Sequence, residues 1–483
     1  MTGERTKGFF AQEPRKQVPL VLFFVFSSGF RFMSSLSVRQ RILIGFTLFA
    51  MFFGAGNLIF PPWLGAEAAT ASFTGFLGFL TTAVGFPILG VMAVAESGGL
   101  KPLASRVGPR FAALFTLLIY LSIGPCLAIP RTAGTSFEMI GRPLAEATGI
   151  LNTTYFGFEV LTLLQAAYSV LFFAAAFWVA LDPDKLTARL GKFLCPTLLF
   201  LIAILWVGCL FNPAESASAP VGRYADNAFF AGFIDGYQTM DTLAALNFGL
   251  IIAMNIRAFG ITTDRAVVKE TVLAGTMAAG LFFFVYGALV MLGTNAASLG
   301  NFENGAQLLS AAAGTFFGSA GTVVIGLVFF IACFNTCVGL IACCSDYFHG
   351  ICPALSYRGW AFLFAVVSMV LSNAGLTLIL KFSIPVLIAI YPVALVLIVL
   401  AFASLVRPAL TSNILYQLTI GVTGLVSVIT GIEAFGVTGP GLSHVVALLP
   451  GAALGLAWVT PAAAAFGLGL LLTACCPTAH GRP

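Results

Sequence analysis

Apolar residues in this chain form long runs that short polar or Pro/Gly-rich breaks separate. A helix needs about 20 apolar residues to cross a bilayer, and these runs are of helix length rather than alternating every second residue. Backbone groups in hydrocarbon must be bonded within the protein, so helix-length runs indicate membrane-spanning helices. The pattern predicts twelve spans, at 41–66, 73–96, 110–135, 157–181, 190–211, 228–257, 266–292, 318–346, 358–373, 377–405, 414–436 and 445–473.

Two of these spans are interrupted by small or polar residues. Span one is broken from Gly54 to Asn57, and span six meets the polar stretch Asp235 to Thr242 at mid-membrane. Glycine weakens a helix by about 1 kcal/mol relative to alanine, so we expect span one to unwind there and to resume near Leu58. Span six enters from the opposite side of the membrane. Two interrupted helices at matching places of two inverted halves predict a transporter site.

Composition supports a membrane protein and excludes several other classes. Of the 483 residues, 59% are hydrophobic and only 8% are charged. A water-soluble domain carries about 25% charged residues, so lipid must cover most of this surface. The chain has no basic patch interleaved with aromatic residues, which argues against binding nucleic acid. Its ten Cys are scattered and its three His do not cluster, so we expect no metal site in these thiols.

Lysine and arginine residues are concentrated in the loops on one side of the predicted bundle. Such loops face the cytoplasm, and an even number of spans places both termini there. Residues 1–35 precede the first span and contain an apolar run that is too short to cross a bilayer. We interpret 1–35 as a cytoplasmic extension or as a misassigned start, with Met33 as the alternative first residue.

The broken spans carry the polar groups that a transported solute needs. The start of a half-helix near Leu58 favours a carboxylate, the carbonyl groups near Phe53 favour a cation, and the Asn57 side chain suits either. A carboxylate at mid-membrane, such as Asp241, costs about 3 kcal/mol and is functional by default. It can ligate Na⁺, carry a proton or bind an ammonium group; the alternative is a buried acid that a neighbour neutralises.

Other polar residues near these breaks have a functional and a purely structural interpretation. Thr239 and Thr242 supply neutral oxygens, and Tyr237 is either a gate over the substrate or an interfacial anchor. In span eight, Asn335 and Thr336 are candidates for a second cation position, although a hydroxyl can equally bond its own helix.

In span three, we expect Arg131 and Glu138 to lie near the outer face and to pair, in an architectural role.

The stretch Gly45 to Pro62, with Gly54-Ala55-Gly56-Asn57 at its centre, closely resembles the first-helix signature of the bacterial branched-chain amino acid carriers. These are also called leucine/isoleucine/valine cation symporters. The resemblance covers roughly residues 36 to 405. Its further blocks are Pro130-Arg131-Thr132-Ala133, Ser136-Phe137-Glu138, Gly236-Tyr237, Thr239-Met240-Asp241-Thr242, Phe330-Ile331-Ala332-Cys333, Ser372-Asn373, Gly375-Leu376 and Ile390-Tyr391-Pro392.

The resemblance implies an all-α polytopic carrier of the amino acid–polyamine–cation superfamily with about twelve helices. It implies a five-plus-five inverted repeat at 36–211 and 212–405, followed by two extra helices and a tail at 406–483. It also implies uptake of leucine, isoleucine and valine across the inner membrane, driven by Na⁺ or H⁺.

Carried onto this chain, the resemblance also assigns binding roles to the residues of the two breaks. The backbone of Gly54, Ala55, Gly56 and Asn57 would hold the substrate carboxylate, and Thr239 to Thr242 its ammonium end. The carbonyl groups of Ala50 and Phe53, with Thr336, would hold the cation. For the aliphatic side chain we expect walls formed by Phe52, Phe53, Phe233 and Phe248.

The alternatives from other classes lack their chemistry in this sequence. An intramembrane aspartyl protease needs two membrane carboxylates, a zinc enzyme needs a His cluster, and a channel would show a pore-lining repeat. No P-loop is present. We therefore expect a transporter rather than an enzyme, with no cofactor, no ATP-binding subunit and the bilayer as its surroundings. Methionine or another small zwitterion stays an alternative substrate, and the sequence leaves Na⁺ against H⁺ open.

Overall fold

The computed structural model describes residues 35–150, 153–155, 157–181, 195–211, 219–261, 263–300, 302–437 and 442–475. The predicted extension at 1–35 lies outside these residues except for its last position. Within the described ranges the chain is almost entirely helical, as the apolar runs predict.

The first half of the chain contains nine α-helices and one small hairpin in its described residues. Strands β1 (Thr154–Tyr155) and β2 (Phe158–Glu159) pair antiparallel, with Thr154 opposite Glu159. The helices are α1 (Val38–Phe52), α2 (Ala55–Ala68), α3 (Ser72–Leu80), α4 (Phe86–Ser97), α5 (Leu100–Ala104), α6 (Pro109–Leu121), α7 (Ala128–Ala147), α8 (Val160–Ala180) and α9 (Cys195–Leu210).

The second half begins with the other broken span. Its helices, again within the described ranges, are α10 (Arg223–Asp235), α11 (Asp241–Ala258), α12 (Asp264–Ala296), α13 (Gly305–Ile351), α14 (Tyr357–Ser372), α15 (Leu376–Val406), α16 (Asn413–Ala434), α17 (Leu442–Ala447) and α18 (Val459–Cys475).

Described helices lie at each of the twelve predicted spans, with two differences in their bounds. By length and composition, however, only seven described stretches can cross a membrane, or eight if the bent pair around Met240 is one span, so the count of twelve stays a prediction. Helix α13 begins before the predicted span eight and bends at Gly318, whose φ is 62°. The predicted span 445–473 is wrong at its start, because α17 ends at Ala447 and the chain turns before α18 begins. The all-α polytopic architecture is confirmed; the repeat boundaries stay a prediction.

Glycine residues allow the helices around the breaks to approach one another closely. Helix α2 packs along α12, where a Cβ on Gly293 would lie 1.9 Å from the carbonyl oxygen of Pro62. Helix α3 packs along α10, where a Cβ on Gly232 would lie 2.0 Å from the carbonyl oxygen of Gly75. Such backbone contact through small residues is typical of helix association in lipid. It fixes the helices that carry both halves of the site.

We expect Gly293→Ala to destabilise the folded protein by about 1–3 kcal/mol, the usual cost of overpacking a core. The added methyl would overlap the backbone of α2, which has no flexible end that can move aside. Thermal unfolding in detergent measures the effect. Gly280→Ala in the same helix is the matched control, because nothing lies within 4 Å of its Cβ position. Equal melting temperatures of the two variants would contradict the prediction.

Candidate functional site

The break in span one is shorter than the sequence suggests. Helix α1 ends at Phe52, Phe53 and Gly54 are extended, and α2 begins at Ala55 rather than near Leu58. The Asn57 side chain accepts a hydrogen bond of 2.9 Å from the backbone N–H of Gly54. This bond caps the first turn of α2, so the residues after Gly54 stay helical.

The break in span six separates α10 from α11. A short 3₁₀ turn, Gly236–Thr239, follows α10, and Met240 then adopts a left-handed backbone with φ 63°. That conformation is rare for a residue with a side chain, and such strain clusters at functional sites. The two half-helices meet at 49°. Asp241 is consequently the first residue of α11, where the helix dipole favours its negative charge.

The two breaks meet through the side chains of Asn57 and Asp241. Asn57 Nδ2 donates to Asp241 Oδ2 at 2.5 Å and to the Tyr286 hydroxyl oxygen at 2.5 Å. The Tyr286 hydroxyl lies 3.4 Å from the same Asp241 oxygen, to which it donates. All three residues are buried. A sequence-based search for polar breaks misses Tyr286, because it lies within an uninterrupted apolar helix.

Asn57 and Asp241 face a small cavity between the half-helices, whereas Tyr286 is not part of its lining. Its volume is about 30 Å³, room for a water or two. An aliphatic amino acid therefore requires the walls to move apart. The cavity is lined by Met51, Phe52, Gly54, Ala55, Gly56, Asn57, Ile123, Ala128, Arg131, Thr132, Thr239, Met240, Asp241, Ala244, Phe248, Thr336 and Leu340.

Not every residue predicted to contact the substrate lies on this cavity. Thr239 does, and its hydroxyl oxygen accepts the N–H of Asp241 at 3.4 Å. Thr242 does not: its amide donates to the Tyr391 hydroxyl and its own hydroxyl to the Thr82 carbonyl oxygen, each at 3.2 Å. Tyr237 is also outside the lining, buried and stacked on Tyr391 with ring centroids 4.4 Å apart.

Of the four phenylalanines predicted to form the walls around the substrate side chain, two line the cavity and two do not. Phe52 and Phe248 line the cavity, with ring centroids 5.7 Å apart. Phe53 is fully buried among other aromatic rings, and Phe233 packs against Tyr237 instead.

The predicted cation ligands are brought together only in part. The Thr336 hydroxyl donates to the carbonyl oxygen of Phe53 at 3.2 Å and lines the cavity. Ala50 lies in the last turn of α1, one turn before the break. Asn335 is buried but does not line the cavity, and its side-chain amide has no hydrogen-bond partner among the described residues.

Arg131 is a cavity residue that the sequence analysis placed wrongly. It is only 3% exposed, lines the cavity, and its Nη1 donates to the Gln238 carbonyl oxygen at 2.7 Å. The expected pair with Glu138 does not form; Glu138 accepts from Arg142 at 3.4 Å instead. The sequence does contain a sign of this position: Arg131 is a charged residue within an apolar span, and such residues face the interior of a helix bundle or a cavity.

Comparison with known proteins gives the family. The model of the branched-chain amino acid transport protein family matches residues 37–475. This chain belongs to that family. The members are transport proteins, which confirms the expectation of a transporter rather than an enzyme. Two curated members of the family, branched-chain amino acid permease BraB of Bacillus subtilis and BrnQ of Escherichia coli K12, are both 38% identical to it. Their alignments cover 91% and 88% of this carrier and 96% and 93% of the relatives.

Solved structures of other transporters share the fold of this carrier. The nucleobase-cation-symport-1 transporter Mhp1 aligns with a TM-score of 0.55 at 13% identity, over 91% of this chain and 93% of its own. A manganese transporter of Eremococcus coleocola aligns with a TM-score of 0.52 at 13% identity, over 90% and 94%. At this identity, the likeness concerns the fold alone.

Proposed function

We propose that this carrier imports leucine, isoleucine and valine by symport with a cation, Na⁺ or H⁺. The observation that carries the proposal is the meeting of both helix breaks at one cavity, with Asp241 and Asn57 bonded across it. A small zwitterion needs fixed dipoles and charges for its two ends, and the half-helix starts at Ala55 and Asp241 supply them.

Specificity for aliphatic side chains follows from the apolar part of the cavity. Met51, Phe52, Ala244 and Phe248 line it. One methylene in such a pocket changes binding by about 1–3 kcal/mol, so we expect the three branched-chain substrates to be accepted together. Methionine, whose side chain is also apolar and similar in length to that of leucine, is the alternative substrate of the same site.

The proposal also includes the location of the carrier. The excess of Lys and Arg in the loops on one side supports insertion in the bacterial inner membrane with both termini in the cytoplasm. No cofactor and no ATP-binding subunit take part in it, because the gradient of the coupling ion supplies the driving force.

Uptake of labelled leucine into proteoliposomes tests the proposal. A Na⁺ gradient and a pH gradient are imposed separately, and unlabelled valine, isoleucine, methionine and lysine are added as competitors. We expect one gradient to drive accumulation, the two branched-chain competitors to block it and lysine to have no effect. Absence of stimulated uptake under both gradients would overturn symport, and equal competition by lysine would overturn the substrate class.

We propose that the cation is bound by the carbonyl groups of Ala50 and Phe53 together with Asn57, Asp241 and Thr336. That Asn335 is a further cation ligand stays a prediction from the sequence. Oxygen ligands of this kind suit Na⁺, and the Thr336 hydroxyl already lies 3.2 Å from the Phe53 carbonyl oxygen.

In Thr336→Val, we expect the Na⁺ concentration for half-maximal uptake to rise about tenfold, because one charged contact of about 1.4 kcal/mol is lost. The measurement is leucine uptake against external Na⁺ concentration. Thr276→Val is the matched control, since that hydroxyl only bonds its own helix at the exposed surface of α12. An unchanged Na⁺ dependence in a Na⁺-driven carrier would remove Thr336 from the site.

A further inference from the structure

The Arg131 guanidinium occupies an unusual electrostatic position. It lies in the first turn of α7, just after span three is kinked at Gly124 and Pro125. The start of a helix carries partial positive charge, which favours anions and disfavours a buried arginine. Burying a charge without a counter-charge within ion-pair distance is costly, and Arg131 is only 3% exposed. The position therefore does not stabilise the fold by itself, but it concentrates positive potential at the cavity.

The hydrogen bonds of Arg131 leave donors free. An arginine side chain has five N–H donors. The described contacts use Nη1, which donates to the Gln238 carbonyl oxygen, whereas Nε has no partner in the described chain. Within that same part of the chain, no carboxylate lies within ion-pair distance of this guanidinium, although Asp241 lines the same cavity.

The guanidinium also lies against the first turn of α2. A Cβ on Gly56 would be 2.9 Å from Arg131 Nη2, so the absence of a side chain at Gly56 makes room for this contact. The cavity thus has a fixed cation beside the backbone of α2 and a fixed anion at the start of α11. Apolar residues line the same cavity.

We propose that Arg131 binds the α-carboxylate of the substrate, while Asp241 binds the ammonium group. This inference rests on the proposed function and deepens it. The backbone at Gly54 to Asn57 alone offers only partial charges, whereas a guanidinium offers a charged fork that matches a carboxylate. The ligand class is then limited to α-amino acids with a free carboxylate, and amides or amines of the same side chain are rejected.

Binding of leucine and leucinamide to the purified full-length carrier tests the inference. Leucinamide keeps the side chain and the ammonium group but has no carboxylate. Affinity is measured by displacement of labelled leucine and by the shift in melting temperature that each ligand produces. In the wild type we expect leucinamide to bind at least about tenfold more weakly than leucine.

The decisive comparison is between ligands within one variant. In Arg131→Gln we expect leucine affinity to fall about 10- to 100-fold, as for loss of a charged hydrogen bond, and leucinamide affinity to stay within about twofold. Arg131→Lys keeps a point charge without the fork, so it should lose less leucine affinity. Arg142→Gln, on the same helix but outside the cavity lining, is the matched control and should change neither ligand.

Several outcomes would overturn this inference. If Arg131→Gln weakens the binding of leucine and leucinamide equally, Arg131 has only a structural role. If leucine affinity is unchanged, Arg131 has no role in binding. If Arg131→Gln does not fold, the inference is tested by Arg131→Lys and by comparing leucine with leucinamide in the wild type. A wild type that binds both ligands equally makes no contact with the carboxylate. A wild type that binds no leucine contradicts the proposed function itself, which distinguishes the two failures.

Discussion

Replacing Asp241 by Asn is expected to lower leucine uptake by at least about 100-fold and to remove its dependence on the cation gradient. Truncating one partner of a buried charged interaction costs about 2–5 kcal/mol, and about 2.8 kcal/mol is a factor of 100. Asp241 is buried at the point where both helix breaks meet, and among the described residues no other carboxylate lines the cavity. A neutral amide at this position offers no negative charge to balance an ammonium group or the coupling ion.

The side chain in the Asp241→Asn variant has nearly the same shape as in the wild type, so we expect the variant to fold. Gradient-driven uptake in proteoliposomes and the melting temperature are measured together. Asp264→Asn is the matched control: Asp264 begins α12, is 87% exposed at its side chain and pairs with Arg257 at the surface. Uptake by that control should stay within about twofold. Cation-dependent uptake at the wild-type rate by Asp241→Asn would remove Asp241 from the site.

Replacing Gly56 by Ala is expected to lower leucine uptake by about 100-fold while the protein still folds. The added Cβ would lie 2.9 Å from Arg131 Nη2 and 3.0 Å from both the Gln238 carbonyl oxygen and the Thr239 Cα. Two of these atoms belong to the backbone of the other broken span, so the two breaks must move apart. A displacement of about 1 Å within a constellation of binding groups can cost about 100-fold in activity.

The measurement is initial leucine uptake with protein amount and melting temperature as references. Gly280→Ala adds the same methyl at an open, exposed position of α12 and should leave uptake unchanged. If Gly56→Ala transports at the wild-type rate, the close approach of α2 to the second break is not required for function.

The positions of both helix breaks could be predicted from local sequence, because backbone preference is local. Gly54 and the polar residues before Asp241 interrupt apolar runs, and the chain unwinds at both. The extent of unwinding could not be predicted. It depends on one hydrogen bond, from the Gly54 N–H to the Asn57 side chain, which keeps Ala55 to Asn57 helical.

Positions that depend on contacts between different helices were predicted less well. Tyr237 and Thr242 are adjacent to the break in sequence, yet both bond or stack with residues of other helices rather than line the cavity. Arg131 was assigned to the outer face, because its distance from the breaks along the chain conceals its contact with Gln238. Asp241, singled out from the sequence because a carboxylate is costly within a membrane, does lie on the cavity; its role in binding stays a prediction.

The sequence alone determined the all-helical membrane architecture and the two broken spans, because hydropathy and glycine content act over short stretches of chain. The family was indicated separately, by the resemblance of motifs such as Gly45 to Pro62. Only the tertiary structure decided which polar groups share one cavity. Asn57, Arg131 and Asp241 line it from three different helices, and Tyr286 bonds to Asn57 from a fourth. Close glycine contacts such as Gly293 against Pro62 set how two of those helices meet. Packing at that distance depends on pairs of residues far apart in the chain, which no local pattern records.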